Sequence, residues 1–176
     1  MIRRETGIEQ PAFLLAQLGG HAALQFAERL RVLNLTPADA GILRLLSTSA
    51  GMSQQELALK LKIHPSRMVA ILDNLEKQTA VERRQNPEDR RLYSLYLTKN
   101  GREALAKIGK VAREHQEALL SALSREERQE LAGLLLRVAD QQGLVRGIHP
   151  GYQGIGKGKR SEVSGVSSVG SPDGQR

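Results

Sequence analysis

The feature that most restricts how this chain can fold is a change of period between Ser53 and Leu97. Met68, Ile71, Leu72 and Leu75 recur at i, i+3, i+4 and i+7. That spacing gathers apolar side chains on one face of a helix and leaves Ser66, Arg67, Ala70, Asp73 and Asn74 outside. A few residues on, the repeat shortens to two. Val81–Gln85 reads as a short strand, and Tyr93, Leu95 and Leu97 alternate with Ser94 and Tyr96, as side chains do on the two faces of a strand. Asn86-Pro87-Glu88-Asp89 between them has turn composition. The pattern is a helix followed at once by a β-hairpin with a charged tip.

A shorter helix comes first. Ser53-Gln54-Gln55-Glu56 is a capping box, in which the serine oxygen takes a backbone N–H and the glutamate reaches back to the cap. Leu57 and Leu61 then fall four apart, Lys62 to His64 leaves room only for a tight turn, and Pro65 suits the first position of the next helix. Residues 11–33 carry leucines at helical spacings, with an end expected near Asn34. Thr36, Pro37 and Asp39 start a helix through Ile42, Leu45 and Leu46. Thr98 caps another with Ala104, Leu105, Ile108 and Val111, and Ser124-Arg125-Glu126-Glu127 opens a last one through Leu131, Leu134, Leu135 and Val138. The expected fold is mainly α, a winged helix-turn-helix in the order α-α-α-α-β-wing-β-α-α.

The division expected is one domain, residues 1–145, with a DNA-binding core at about 35–101 and long helices at about 8–33 and 99–142. Residues 146–176 read as a disordered Gly/Ser-rich basic tail, with few large apolar side chains to offset the entropy of ordering. Its Lys157, Lys159 and Arg160 are read as part of a solvated segment. The outer helices are rich in Leu and Ala while the core is small, so their apolar stripes call for a partner surface, most simply a second copy of the chain, the alternative being an intramolecular three-helix packing.

Charge and composition narrow the function. A net charge of +7 favours a polyanionic partner, nucleic acid before membrane. The absence of cysteine removes disulfides, thiolate metal sites and cysteine nucleophiles, and fits a reducing cytoplasm. His21, His64, His115 and His149 lack metal-ligand spacing, and neither a Gly-x-Ser-x-Gly nor a phosphate-binding glycine loop occurs. No metal, cofactor or enzymatic activity is therefore expected. No stretch of eighteen apolar residues occurs. The run from Pro11 to Ala27 reads as an amphipathic helix and not a signal peptide, because Gln17, His21 and Gln25 form a polar stripe on it.

A helix fits the major groove and presents its first turn to the bases. Here that turn holds His64, Ser66 and Arg67, with Ala70 one turn on. Arg67 suits a bidentate pair with guanine or a phosphate contact. Ser66 and the helix N–H groups suit a phosphate oxygen, and Ser53, Gln54 and Gln55 can anchor the backbone in the same way. Arg83, Arg84, Arg90 and Arg91 put four cations within residues 81–91, and a cationic hairpin tip suits the negative potential of a minor groove.

The stretch from Leu35 to Gly101 resembles the MarR family of bacterial regulators. The matching text is Leu-Thr-Pro at 35–37, Leu-Asp-Asn-Leu at 72–75, Val-Glu-Arg at 81–83, Asn-Pro-Glu-Asp-Arg-Arg at 86–91 and Leu-Thr-Lys-Asn-Gly at 97–101. The resemblance implies a repressor that binds pseudopalindromic promoter sites on double-stranded DNA as a homodimer and is released by a small aromatic or anionic effector. It implies that Arg91 enters the minor groove while Asp89 braces the tip, that Asp73 is within pairing range of Arg91, and that the first, fifth and sixth helices build the dimer interface. His21 and Arg83 are its effector-pocket candidates, Arg83 being equally suited to DNA or to a neighbouring carboxylate. The chain departs from the family at Gln78-Thr79-Ala80, where a glycine is usual, so the helix end there is expected to be strained or capped differently. The rival readings are a winged-helix protein-interaction module and a non-specific nucleoid-type DNA binder.

Overall fold

The computed structural model describes residues 10–86 and 93–149. Six helices and three short strands follow the order α1 (Pro11–Arg31), α2 (Pro37–Thr48), β1 (Met52–Ser53), α3 (Gln54–Leu61), α4 (Pro65–Lys77), β2 (Val81–Gln85), β3 (Tyr93–Leu97), α5 (Lys99–Leu119) and α6 (Arg125–Gln141). The winged helix-turn-helix expected from the periodicities is present.

Local chemistry sets where the helices begin. Thr36, Ser53 and Ser124 each form a reciprocal capping box with the carboxylate three residues on. Thr98 caps α5 by accepting from the Gly101 N–H at 3.0 Å. The helix ends share a second device. A backbone N–H reaches the carbonyl five residues back from Leu35 to Leu30 (3.2 Å), Ile63 to Ala58 (2.9 Å), Ala80 to Leu75 (2.9 Å) and Leu144 to Ala139 (3.0 Å). The residue before each of those donors is left-handed. It is Gly143 in one case, but Asn34, Lys62 and Thr79 in the others. The strain expected at Gln78-Thr79-Ala80 thus falls on Thr79, at φ 54°.

The core lies around α2 and the helix-turn-helix. Ile42, Leu43 and Leu46 of α2 pack with Leu57 and Leu61 of α3, Met68, Leu72 and Leu75 of α4, and Leu95 of β3 in one cluster. The sheet has three strands in the order β1-β3-β2, so the two-stranded wing gains an edge strand that its alternation did not announce. Met52 pairs with Leu95 and Ser53 with Ser94, and Arg84 faces Ser94 from the other side. Covered from both edges, Ser94 is buried while Tyr93 at the strand's start is exposed.

The outer helices contribute little to this core. Only Leu30 of α1 is buried, and no residue of α6. Phe13, Leu18, Leu24, Leu134 and Leu136 are roughly half exposed or more. Beyond α6 the packing continues further than composition indicated: Ile148, within the segment read as tail, rests against the core.

Candidate nucleic-acid interface

Lys62 is left-handed at φ 52° and Pro65 opens α4, with His64 and Ser66 exposed at its start. His64 is the N-cap residue but makes no side-chain bond to the helix backbone. Its Nδ1 instead shares a hydrogen bond with Ser66 Oγ at 2.8 Å, so the two residues form one polar unit at the helix start. Ser66 and Ala70 are exposed and Arg67 half-buried. The Arg67 guanidinium acts electrostatically on Asp39 of α2. Burial raises the Asp39 carboxyl above the usual range, opposed by hydrogen bonds from Thr36 and by Arg67. Arg67, expected to contact guanine or phosphate, therefore lies within electrostatic reach of the carboxylate in the cap of α2.

The start of α3 is more self-contained than its sequence suggests. Glu56 Oε2 accepts from the Ser53 N–H (2.7 Å) and hydroxyl (2.9 Å), and Ser53 Oγ accepts from the Glu56 N–H (3.2 Å). These bonds from Ser53 hold the Glu56 carboxyl below its ordinary pKa. Ser53 thus spends its hydroxyl inside the cap, while the Gln55 side chain stays exposed and Gln54 half-buried. A shallow cavity of about 600 Å³ runs between Gln55, Leu59, Lys62, His64 and Pro65 and joins the two helices of the motif.

Arg83 fastens the wing to α4. Arg83 Nη2 donates to Asp73 Oδ1 at 2.6 Å and Nη1 donates to the Glu76 carboxylate. Of the partners open to Arg83 from sequence, the neighbouring carboxylate is realised, and Asp73 is paired with Arg83. Arg84 donates to Glu82, with Nε at 3.0 Å, and lies over the Tyr96 ring at 4.7 Å, a cation–π contact. Asp89, Arg90 and Arg91, expected at the wing tip, lie outside the described residues.

The two effector candidates sit in separate surroundings. His21 on α1 is hydrogen-bonded to Gln25 at 3.0 Å, whereas Arg83 belongs to the wing clasp. Near His21, His115 of α5 packs its ring on Phe26 with centroids 5.5 Å apart. Burial, with Arg29 and His21 nearby, lowers the His115 pKa. Periodicity could not reveal this α1–α5 contact, because it depends on where the two helices cross. Among the described residues no three His, Asp or Glu side chains converge on a metal-sized site, and no helix is long and apolar enough to cross a membrane.

Comparison with known proteins agrees with this geometry. Residues 35–93 match the MarR family. A transcriptional regulatory protein for the hcr operon of Thauera aromatica is 34% identical over 107 residues, 61% of this chain and 64% of its own length. The chain thus spans just under two thirds of that relative. The transcriptional repressor CouR, solved bound to a 23-mer DNA duplex, aligns with a TM-score of 0.67 at 31% identity, covering 79% of this chain and 99% of that one. A Mycobacterium tuberculosis MarR family protein in complex with p-aminosalicylic acid aligns with a TM-score of 0.62 at 27% identity, covering 74% and 98%.

Proposed function

The chain belongs to the MarR family, and from that premise we propose that it is a sequence-specific DNA-binding transcriptional regulator, a homodimeric repressor of pseudopalindromic promoter sites. The observation that carries the reading is the clasp of Arg83 on Asp73 and Glu76. It couples the hairpin to the helix whose first turn presents His64, Ser66 and Arg67. A major-groove probe and a minor-groove finger are useful together only if their spacing is held.

Pairing of two chains is supported by the outer helices. Phe13, Leu14, Leu15 and Leu18 of α1 and Leu134, Leu135, Leu136 and Val138 of α6 are all at least 39% exposed. Apolar stripes of that length on two helices fit an isologous interface. A twofold dimer would set two α4 helices in successive major grooves, with Arg90 and Arg91 of each wing at flanking minor grooves. Ser66, Gln54 and Gln55 would take phosphates.

A small aromatic or anionic effector is the proposed release signal, by analogy with the relative in complex with p-aminosalicylic acid. Such a ligand would act by binding one spacing of the reading heads better than the other. We assign the chain no catalytic activity.

Selection from a random duplex pool tests the reading. An enriched inverted repeat, with affinity falling steeply as salt rises, is expected. Unenriched but salt-sensitive binding would point to a nucleoid-type binder. Absence of duplex binding would point to a protein-interaction module.

A further inference from the structure

Helix α6 is held at both of its ends. At its start Arg128 donates to the Leu120 carbonyl at 3.0 Å and to Glu117 at 2.6 Å, which fastens it to the end of α5. Along its length none of its residues is buried, and Leu134, Leu135, Leu136 and Val138 form the exposed stripe read above as a pairing surface. At its far end the chain folds back. Gly143 turns left-handed at φ +65°, and the Leu144 N–H closes on the Ala139 carbonyl at 3.0 Å. Arg146 returns to Asp140, Nη2 to Oδ2 at 2.7 Å.

The residues that follow dock beside the helix-turn-helix. Ile148, whose N–H donates to the Val145 carbonyl at 3.1 Å, packs against the core. Leu144, Val145, Ile148 and His149 close round one small cavity with Leu61 and Lys62, where α3 ends and the turn into α4 begins. Gly147 lies so near Arg44 of α2 that a β-carbon on it would stand 2.5 Å from Nη2. The segment therefore joins α6 to α2 and to the turn of the motif by a route that does not pass through α5. Because it is a run of hydrogen-bonded turns with a seated side chain, it carries orientation, as a loose linker would not. With α5 gripping one end and the strap the other, α6 cannot tilt without pulling on the turn that leads into α4.

We propose that residues 143–148 are a strap that sets the angle between α6 and the helix-turn-helix, with Ile148 as its positioning residue, so that pairing of two chains fixes the separation of their α4 helices. The inference rests on the dimeric DNA-binding reading above. Its consequence is a sharp preference for one separation of the half-sites. A single added base pair moves one half-site by about 3.4 Å and turns it by about 35° around the duplex. A reading head locked to its dimer helix cannot follow that displacement.

The test measures binding of the full chain to duplexes that carry its selected inverted repeat with the spacer as selected, one base pair shorter and one base pair longer. Ile148→Ser empties the seat, and Gly143→Val opposes the left-handed turn at the other end of the strap. The unaltered chain should favour the selected spacer by at least about tenfold. Each variant should remain dimeric by sedimentation, keep the half-site sequence and lower that preference to about threefold or less. A preference left intact in either folded variant overturns the strap. Loss of the dimer in both also overturns it, since the segment would then belong to the pairing surface. If one variant fails to fold, the other decides. If the unaltered chain selects no inverted repeat, the DNA-binding reading itself has failed, a separate result.

Discussion

Gly101 stands so close to Ala80 that a β-carbon on it would lie 2.0 Å from the Ala80 carbonyl oxygen. The same oxygen accepts from the Thr98 N–H at 3.2 Å. The first turn of α5 is thus pressed onto the start of β2, which supplies a physical reason for the glycine in Leu-Thr-Lys-Asn-Gly. Gly101→Ala would force the helix off the wing and is expected to cost about 1–3 kcal/mol. Urea unfolding measures it, and an unchanged midpoint would refute the contact.

Thr79 carries a strain that a glycine would relieve. A β-branched residue in the left-handed region costs about 1–2 kcal/mol. Part of this is offset by the bond from Asn100 Nδ2 to Thr79 Oγ1 at 2.7 Å. Thr79→Gly is expected to stabilise the fold by about 1 kcal/mol. A lower unfolding midpoint would mean that the side-chain bond outweighs the strain.

The Arg83 clasp is half-screened, with the Arg83 side chain 22% exposed and Asp73 49% exposed. A double-mutant cycle on Arg83→Gln and Asp73→Asn should return a coupling of about 0.5–1 kcal/mol that shrinks in high salt. Operator affinity should fall in either single variant, although neither residue is assigned to DNA. Full affinity in both would detach the clasp from function.

Two arginines separate the modes of DNA contact. Arg91→Ala is expected to weaken operator binding by about 1–3 kcal/mol. Arg67→Ala should relax preference at one base pair if it reads guanine, and weaken all sequences alike if it holds phosphate. Binding to a panel of single-base operator variants distinguishes these, and an unaffected Arg91→Ala protein would remove the wing tip from the mechanism.

His115 makes stability depend on pH. Its Nδ1 is buried and unpartnered, and burial first, then Arg29 and His21, lowers its folded pKa. Below the unfolded value of about 6.5 the unfolded chain binds more protons than the fold. Stability is therefore lost as pH falls from about 7 through that value toward the folded one. Asp39, with its raised carboxyl, acts in the opposite sense in more acid solution, so measurements belong between about pH 6 and 7.5. His115→Gln should flatten the dependence there; the same slope in that variant would rule His115 out.

Much of the architecture was legible because it rests on short-range chemistry. The capping boxes at Ser53 and Ser124, the proline starts at 37 and 65, and the period change between α4 and β2 each depend on residues a few positions apart. The strain at Thr79 was readable only through the family resemblance, in which a glycine is usual where this chain has Gln78-Thr79-Ala80.

The candidate site was legible in its residues and not in their partners. Nothing local in Met52–Ser53 announces a strand, which exists only because β3 is brought alongside it. Which carboxylate takes Arg83, that Arg67 bears on Asp39, and that Ile148 rests on the core beside Leu61 all depend on elements distant in the chain coming together. Sequence by itself determined the helices, their caps and the order of the motif, because backbone hydrogen bonds and apolar periodicity are satisfied within one element. Only the tertiary structure decided which charges meet and where the segment after α6 is anchored, because charged side chains take whichever partner the packing of the apolar core brings within reach.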